Sequence, residues 1–195
     1  MEYRGAPEGS QRNRGDRGDH PLFLGARYRV SVTANRSIAD ARNFRCIDES
    51  LLTAGQPNEE QLEDAARQGV KVVVNLALHD DPRYSLRDEA GSVRALGMQY
   101  VHIPVQFTSP TEEDLRAFFA AMDAHKGEKT LVHCAANFRV TAFIGLYRVV
   151  REGWTVEKAF EPMRSVWEPD EVWKAFIERM LAHSSGRETT GDATT

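Results

Sequence analysis

The sequence predicts an α/β fold in which a central, mostly parallel sheet carries helices on both faces. Short apolar runs rich in β-branched residues alternate with longer segments in which apolar residues recur every three or four positions. The run over residues 70–76 is almost continuously apolar, which is typical of a strand buried on both faces. Because strands that alternate with helices pair in parallel, these observations together predict a sheet with helices packed outside it.

Five segments have the length and composition of strands, and turn-forming residues bound them. They are residues 44–47, 51–54, 70–76, 98–105 and 130–132. The first two flank a short polar turn over residues 48–50. The later three are separated by helical segments, so we expect them to form the parallel part of the sheet.

The predicted helices are recognised mainly by their ends. Four of them follow a residue that caps helix N-termini: Asn58, Thr111, Thr155 and Asp170. A further helix is predicted over 86–96, and another follows the loop after residue 134. Its apolar stripe is Val140, Phe143, Ile144 and Tyr147. By the same spacing, the last two helices are predicted to bury Val156 and Val172.

The composition indicates one soluble domain with tails. The chain has 195 residues, of which 41% are hydrophobic and 28% are charged. The net charge of −4 gives no basic footprint, so no specific nucleic-acid partner is expected. No apolar run approaches the roughly 20 residues that a membrane span requires, so no span is expected. The oligomeric state is left open.

The ends of the chain differ from its middle. Residues 1–37 are rich in Arg and Gly and lack apolar periodicity, so a disordered tail is predicted there. The folded domain is predicted over residues 38–183, followed by a second disordered tail over 184–195. No apolar segment follows the first charged residues, so the start does not resemble a secretory signal. Two distant cysteines, Cys46 and Cys134, then predict free thiols and a cytoplasmic location.

The most informative segment is residues 131–141, where an apolar strand leads into His133 and Cys134 and a helix follows. A thiol between a strand end and a helix N-terminus lies in a field that favours thiolate and binds anions. Arg139 adds a planar fork for a phosphate or another oxyanion. Together these residues predict covalent catalysis on an oxyanion.

The same segment resembles the signature of the cysteine-dependent protein tyrosine phosphatase superfamily: His-Cys, five residues, Arg, then Ser or Thr. Here four residues separate Cys134 from Arg139. Either Val140 takes the place of the arginine, or a one-residue deletion leaves Arg139 in its role. The wider chain, over about residues 38–183, resembles a bacterial group of dual-specificity-like phosphatases. The segments that carry this resemblance are 54–57, 74–76, 100–105 and 132–139.

The resemblance implies a phosphatase-like fold and a set of roles. Cys134 would attack phosphorus and form a Cys-phosphate, and His133 would orient the loop and support the thiolate. Thr141 would bring its hydroxyl near the sulfur. Backbone N–H groups would hold the phosphate oxygens, from Ala135, Ala136, Asn137, Phe138 and Val140. Asn137 also tolerates the left-handed backbone that such a loop requires. The implied chemistry uses no metal and no cofactor, and its substrate is a phosphorylated protein or small molecule.

The general acid is not at its usual place. The superfamily carries an aspartate on the loop after the strand that corresponds to 98–105, and it protonates the leaving oxygen. Gln106 and Phe107 stand there instead. Asp80 and Asp81 follow a neighbouring strand, so either is a candidate for a substitute acid.

Two other functions remain open at this point. The missing acid and the shortened loop are also compatible with an inactive module that binds phosphate or regulates a partner. The spacing from Cys134 to Arg139 is also the loop length of many single-domain rhodaneses, which transfer sulfur through a persulfide. Residues 54–57 and the histidine before the cysteine count against that second alternative. Cys46 is interpreted as a packed strand residue, with a resolving thiol as the alternative.

Overall fold

The computed structural model describes the chain from residue 35 to residue 188. The tail predicted over 1–37 therefore lies outside the described residues except for its last three, and so does residue 189 onward of the tail predicted over 184–195. Ser37 caps a short 3₁₀ helix over Ile38–Asp40, which opens the domain.

A five-stranded sheet forms the centre of the fold. Its strands are β1 (Arg45–Cys46), β2 (Leu51–Ala54), β3 (Val72–Asn75), β4 (Gln99–His102) and β5 (Thr130–His133). The order across the sheet is β1-β2-β5-β3-β4. Only β1 runs antiparallel to its neighbour, and the other three pairings are parallel. The predicted α/β fold with a mostly parallel sheet is confirmed.

Seven α-helices complete the described part of the chain. They are α1 (Glu59–Arg67), α2 (Glu89–Ala95), α3 (Glu112–Ala124), α4 (Phe138–Glu152), α5 (Val156–Ala159), α6 (Glu161–Arg164) and α7 (Glu171–Glu188). Asn58 and Thr111 form the expected capping boxes with Gln61 and Asp114. The predicted boundary at residue 183 falls inside α7. Within the described range, none of these helices combines the length and apolarity of a membrane span.

Helices cover both faces of the sheet because successive strand residues point to opposite sides. Leu131 packs into a smaller core with the 3₁₀ helix, α1 and α2. Val132, its neighbour, packs into a larger core with α3, α4 and α7. The sheet is thus buried on both faces, as the continuous apolar strand over 70–76 predicts.

Two predicted core residues are exposed. Val156 is 50% exposed and Val172 is 44% exposed. The helical segment at Val156 is only four residues long and a separate helix starts at Glu161, so the predicted stripe is broken. In α7 the next residue, Trp173, occupies the buried position instead and is fully enclosed.

The parallel strands all end at one edge of the sheet. The register aligns Ala54 of β2 with His133 of β5, His133 with Asn75 of β3, and Asn75 with His102 of β4. In sheets of this kind ligands bind outside the carboxyl ends of the strands. The loop after β5 begins at this edge.

Candidate active site

The loop that follows β5 has a defined backbone shape and leads directly into α4. Cys134 is 1% exposed, and its backbone N–H donates to the carbonyl of Ala54. Asn137 stands at the N-cap of α4 with a φ of 66°, the left-handed conformation that the sequence predicts. The backbone N–H groups of Phe138, Arg139 and Val140 have no intrahelical acceptor, because they belong to the first turn of α4. The loop therefore presents free donors beside the thiol.

Gly55 lets the preceding turn approach this loop closely. It forms an isolated β-bridge with Ala136. A Cβ atom at Gly55 would lie 3.0 Å from the carbonyl oxygen of Ala135 and 3.0 Å from Cβ of Arg42. Both distances are tighter than ordinary packing, so the glycine is required by the close approach of two backbones.

Arg139 and Val140 point into different environments. Val140 is fully buried in the larger core. Arg139 is 8% exposed and lines a cleft together with Ala135, the residue that follows Cys134. Its guanidinium carbon lies 5.5 Å from the ring centre of Phe107. Arg139, not Val140, is thus the residue that faces the cleft.

Among the described residues, the Arg139 guanidinium has no counter-ion. Its Nε is buried without a hydrogen-bond partner. No carboxylate of residues 35–184 forms an ion pair with it. A buried, unpaired cation is costly, so this arrangement is suited to an anion that enters the cleft.

The hydroxyl of Thr141 is engaged by the loop itself. Its Oγ1 donates to the carbonyl of Asn137 at 2.9 Å and accepts from Nε1 of Trp167 at 3.2 Å. The indole of Trp167 also stacks on Phe138, with ring centres 4.9 Å apart. The contact expected between Thr141 and the Cys134 sulfur is not among the hydrogen bonds of the described side chains.

The cleft has a volume of about 250 Å³ and brings together the candidate acids. Its other lining residues are Ala77, Leu78, Asp80, Asp81, Tyr84, Gln106, Phe107 and Thr108. The loop after β4 is held in place because Nε1 of Trp173 donates to the carbonyl of Phe107 at 2.9 Å. Both predicted acids therefore lie in the same cleft as Arg139, and Gln106 occupies the wall where the superfamily has its acid.

The two aspartates differ in their partners. Asp81 forms an ion pair with Arg83, with Oδ2 and Nη2 2.6 Å apart. Side-chain and backbone hydrogen bonds from Arg83 lower the pKa of Asp81. Asp80 is exposed and makes no ion pair or hydrogen bond within the part of the chain that the structure describes. Asp80 is accordingly the freer of the two for proton transfer.

Glu89 is a site residue that the sequence does not reveal. Its side chain is fully buried at the start of α2, and Oε1 lies 3.1 Å from Nε2 of His133, which is also fully buried. The N–H direction is not aligned for a hydrogen bond, and neither ring nitrogen of His133 has a partner that meets hydrogen-bond geometry. The contact is therefore electrostatic in kind, with charge on both sides when His133 is protonated. An acidic residue in a first helical turn is ordinary, so its sequence position gives no signal.

Three neutral donors complete the surroundings of this carboxylate. Gln56 Nε2 donates to Oε1 at 2.7 Å, while Asn75 Nδ2 and the Tyr100 hydroxyl donate to Oε2 at 2.6 and 2.9 Å. Burial by itself raises the pKa of Glu89. The His133 charge and these hydrogen bonds outweigh burial and lower the pKa from 4.5 to about 2. Burial and the neighbouring carboxylate in turn raise the pKa of Tyr100.

Cys46 is neither packed nor placed to resolve a disulfide. It is exposed on the edge strand β1, so the packed interpretation is wrong. The register aligns Cys46 with Leu52 and Leu52 with Leu131, three residues before Cys134. Cys46 and Cys134 are separated by two strand-to-strand spacings across the sheet and by three residues along β5. Their Cα atoms are therefore more than about 10 Å apart. A disulfide requires Cα atoms within about 7 Å, so this fold does not form one.

Comparisons with known proteins agree with the fold. The family described as "PTP-NADK: DSP-PTPase phosphatase fused to NAD+ Kinase" matches residues 27–178. A "Putative phosphatase (DUF442)" from Shewanella putrefaciens CN-32 has 35% identity and a TM-score of 0.68. The match covers 75% of this chain and 96% of that chain. A structure of PTPMT1 in complex with PI(5)P has 18% identity and a TM-score of 0.64, and the match covers 74% of this chain and 98% of that chain. At this level of identity the similarity concerns the fold alone.

A curated relative matches a shorter part of the chain. The "Beta-lactamase hydrolase-like protein" of Xylella fastidiosa (strain Temecula1 / ATCC 700964) is 34% identical over 106 residues. The aligned region covers 53% of this chain and 24% of the relative's own length. The similarity therefore concerns one segment of a much longer protein.

Proposed function

Because the chain belongs to the family of DSP-PTPase phosphatases fused to NAD+ kinase, we propose that it hydrolyses phosphate monoesters through a Cys134 phosphate intermediate. The substrate is a phosphorylated protein or small molecule. A reducing compartment such as the cytoplasm, which the sequence predicts, would keep the nucleophilic thiol reduced.

The observation that carries this proposal is the unpaired guanidinium of Arg139 in the cleft beside the Cys134 loop. A cation that is 8% exposed and lacks a carboxylate partner in the described chain is suited to a dianionic phosphoryl group. The free N–H groups at the start of α4 supply further donors in the same place. Cys134 and Arg139 belong to the same loop and helix start, which supports a nucleophile beside an anion site, as transfer of a phosphoryl group requires.

The reaction then proceeds in two displacement steps. The Cys134 thiolate attacks phosphorus, an S–P bond forms, and the P–O bond to the leaving group breaks. The leaving oxygen takes a proton from Asp80. A water molecule next attacks the Cys-phosphate and gives a proton to the Asp80 carboxylate. Inorganic phosphate leaves, and the thiolate is restored.

Asp80 is assigned as the acid because of its position and its freedom. It lines the cleft with Arg139, and no cation of the described chain fixes it. Asp81 is less suited, since its ion pair with Arg83 holds it in the deprotonated form. Gln106 has no proton to give at neutral pH.

The direct test compares the two cysteines. Purified protein is offered para-nitrophenyl phosphate, and phosphate release is measured for wild type, Cys134→Ser and Cys46→Ser. We expect release by wild type and Cys46→Ser and none by Cys134→Ser. Full release by Cys134→Ser would contradict the proposal.

One alternative has a specific observation in its favour. Gln106 stands at the usual place of the acid, and the Thr141 hydroxyl is committed to the Asn137 carbonyl. Both features suit a module that binds phosphate without turnover. That module would bind vanadate or phosphate, lose this binding in Arg139→Lys, and release no phosphate from any aryl ester.

A further inference from the structure

We propose that Glu89 is a positioning residue that holds His133 as a cation behind Cys134, and that it thereby maintains the thiolate. The inference rests on the proposed function, because that function requires a thiolate nucleophile. Glu89 does not line the cleft, so its role is exerted through His133.

The burial of Glu89 and His133 is the first step of the argument. Both side chains are fully enclosed, and the carboxylate oxygen and the imidazole nitrogen are 3.1 Å apart. A carboxylate removed from water requires a positive partner or loses its charge by binding a proton. The four hydrogen-bonding or close neighbours of Glu89 other than His133 are Gln56, Asn75, His79 and Tyr100.

With His133 included, only two neighbours of Glu89, His79 and His133, can carry positive charge. His79 Nε2 is 3.4 Å from Oε2 of Glu89, but the His79 side chain is 35% exposed. Water therefore screens any charge that it carries. His133 has no such access to water, and Glu89 is the only carboxylate of residues 35–184 that forms an ion pair with it. The charge that balances Glu89 in the interior therefore falls mainly on His133.

The second step concerns the order of charges along the site. The inference makes Glu89 and the Cys134 thiolate negative, and His133 and Arg139 positive. Cys134 directly follows His133 in the chain and Arg139 stands in the first turn of the helix after the loop, so opposite charges follow one another along this segment. Removal of the Glu89 charge would leave a cation at His133 buried without a counter-ion, which is costly. A positive charge that favours the Cys134 thiolate would thereby be lost.

The inference is tested by alkylation of Cys134 with iodoacetamide as a function of pH. The background is Cys46→Ser, because Cys46 is exposed and would also react. The alkylation rate of Glu89→Gln should reach half of its maximum about one pH unit higher than in the Glu89 parent. His133→Asn should give a shift of the same size, and the double variant should shift no further. Tyr100→Phe removes a hydrogen bond to Glu89 but keeps both charges, so its profile should match the parent.

The outcomes separate this inference from the proposed function. A parent profile centred near the free-thiol value of about 8.5 would contradict the thiolate itself and with it the phosphatase proposal. A low parent midpoint with an unshifted Glu89→Gln profile would overturn only the role of Glu89. A Tyr100→Phe shift as large as that of Glu89→Gln would also overturn it, since the effect would then be structural. If Glu89→Gln does not fold, an unshifted profile in His133→Asn overturns the inference by itself.

Discussion

Asn43 and Asn137 each bind the backbone of the segment that carries the other. Nδ2 of Asn137 donates to the carbonyl of Asn43 at 2.7 Å, and Nδ2 of Asn43 donates to the carbonyl of Ala136 at 3.0 Å. Asn137 also donates to Oγ1 of Thr53 at 3.0 Å. Since its backbone is left-handed as well, this one residue sets both the shape and the position of the Cys134 loop.

Two substitutions at Asn137 separate its backbone from its side chain. Asn137→Gly keeps the left-handed backbone but removes two buried hydrogen bonds, so we expect a loss of about 1–3 kcal/mol in the free energy of unfolding. Asn137→Ala removes the same bonds and adds a strained backbone, which costs a further 1–2 kcal/mol, roughly. Urea unfolding measures both. An alanine variant as stable as the glycine variant would show that the backbone conformation is not a constraint.

Arg139→Lys should weaken anion binding while the fold stays intact. Lysine keeps the charge but loses the planar fork, so the affinity for vanadate should fall by about 1.5–3 kcal/mol, as measured by calorimetry. The matched control is Val140→Ala at the adjacent position, which points into the core. We expect it to lower thermal stability with little change in vanadate affinity. If Val140→Ala weakened vanadate binding and Arg139→Lys did not, Val140 rather than Arg139 would take the place of the superfamily arginine.

The Glu89 carboxylate should make stability depend on acid pH. Because its pKa is lowered from 4.5 to about 2 in the fold, its contribution is fully present above about pH 4.5 and is lost as the pH falls towards 2. The contribution is on the order of 3 kcal/mol. Urea unfolding from pH 6 to pH 2.5 should therefore bring the wild-type and Glu89→Gln curves together at low pH. Parallel curves over this range would mean that Glu89 is not ionised in the fold.

The acid role of Asp80 predicts a specific dependence on the leaving group. Wild type should hydrolyse aryl phosphates with poor leaving groups nearly as well as activated ones. Asp80→Asn should be about 10²- to 10⁴-fold slower on the poor leaving groups and little changed on activated ones. Asp81→Asn is the matched control, and it should behave as wild type because Asp81 is paired with Arg83. If the rate of the wild-type enzyme depends on the leaving group as steeply as the rate of Asp80→Asn, the site has no general acid. That result would favour the binding module.

Local signals account for what the sequence predicts well. The capping boxes at Asn58 and Thr111 and the apolar strands depend on neighbours a few residues away, and the structure confirms them. The exposed Val172 and the buried Trp173 show the limit of this reasoning. Adjacent residues on a helix are only about 100° apart around its axis. Here the larger side chain, that of Trp173, takes the buried position.

The residues that sequence reasoning missed depend on distant partners. Glu89 looks like an ordinary acid at a helix start, and only the convergence of β3, β4 and β5 makes it a buried carboxylate. The choice between Arg139 and Val140 likewise depends on how a shortened loop turns, which spacing alone does not determine. In the structure α4 begins after a left-handed Asn137, Arg139 lines the cleft and Val140 lies in the core.

The stack of Trp167 on Phe138 gives the protein an internal optical reporter. The indole contacts the loop through both its ring and its Nε1, so any movement of the loop changes the surroundings of this fluorophore. Tryptophan emission should consequently respond when an anion fills the cleft. The response should be much smaller in Trp167→Phe, where Trp154 and Trp173 are the remaining indoles and Trp173 contacts the cleft only through Phe107. Anion binding can thus be followed in real time without a label and without a chromogenic substrate.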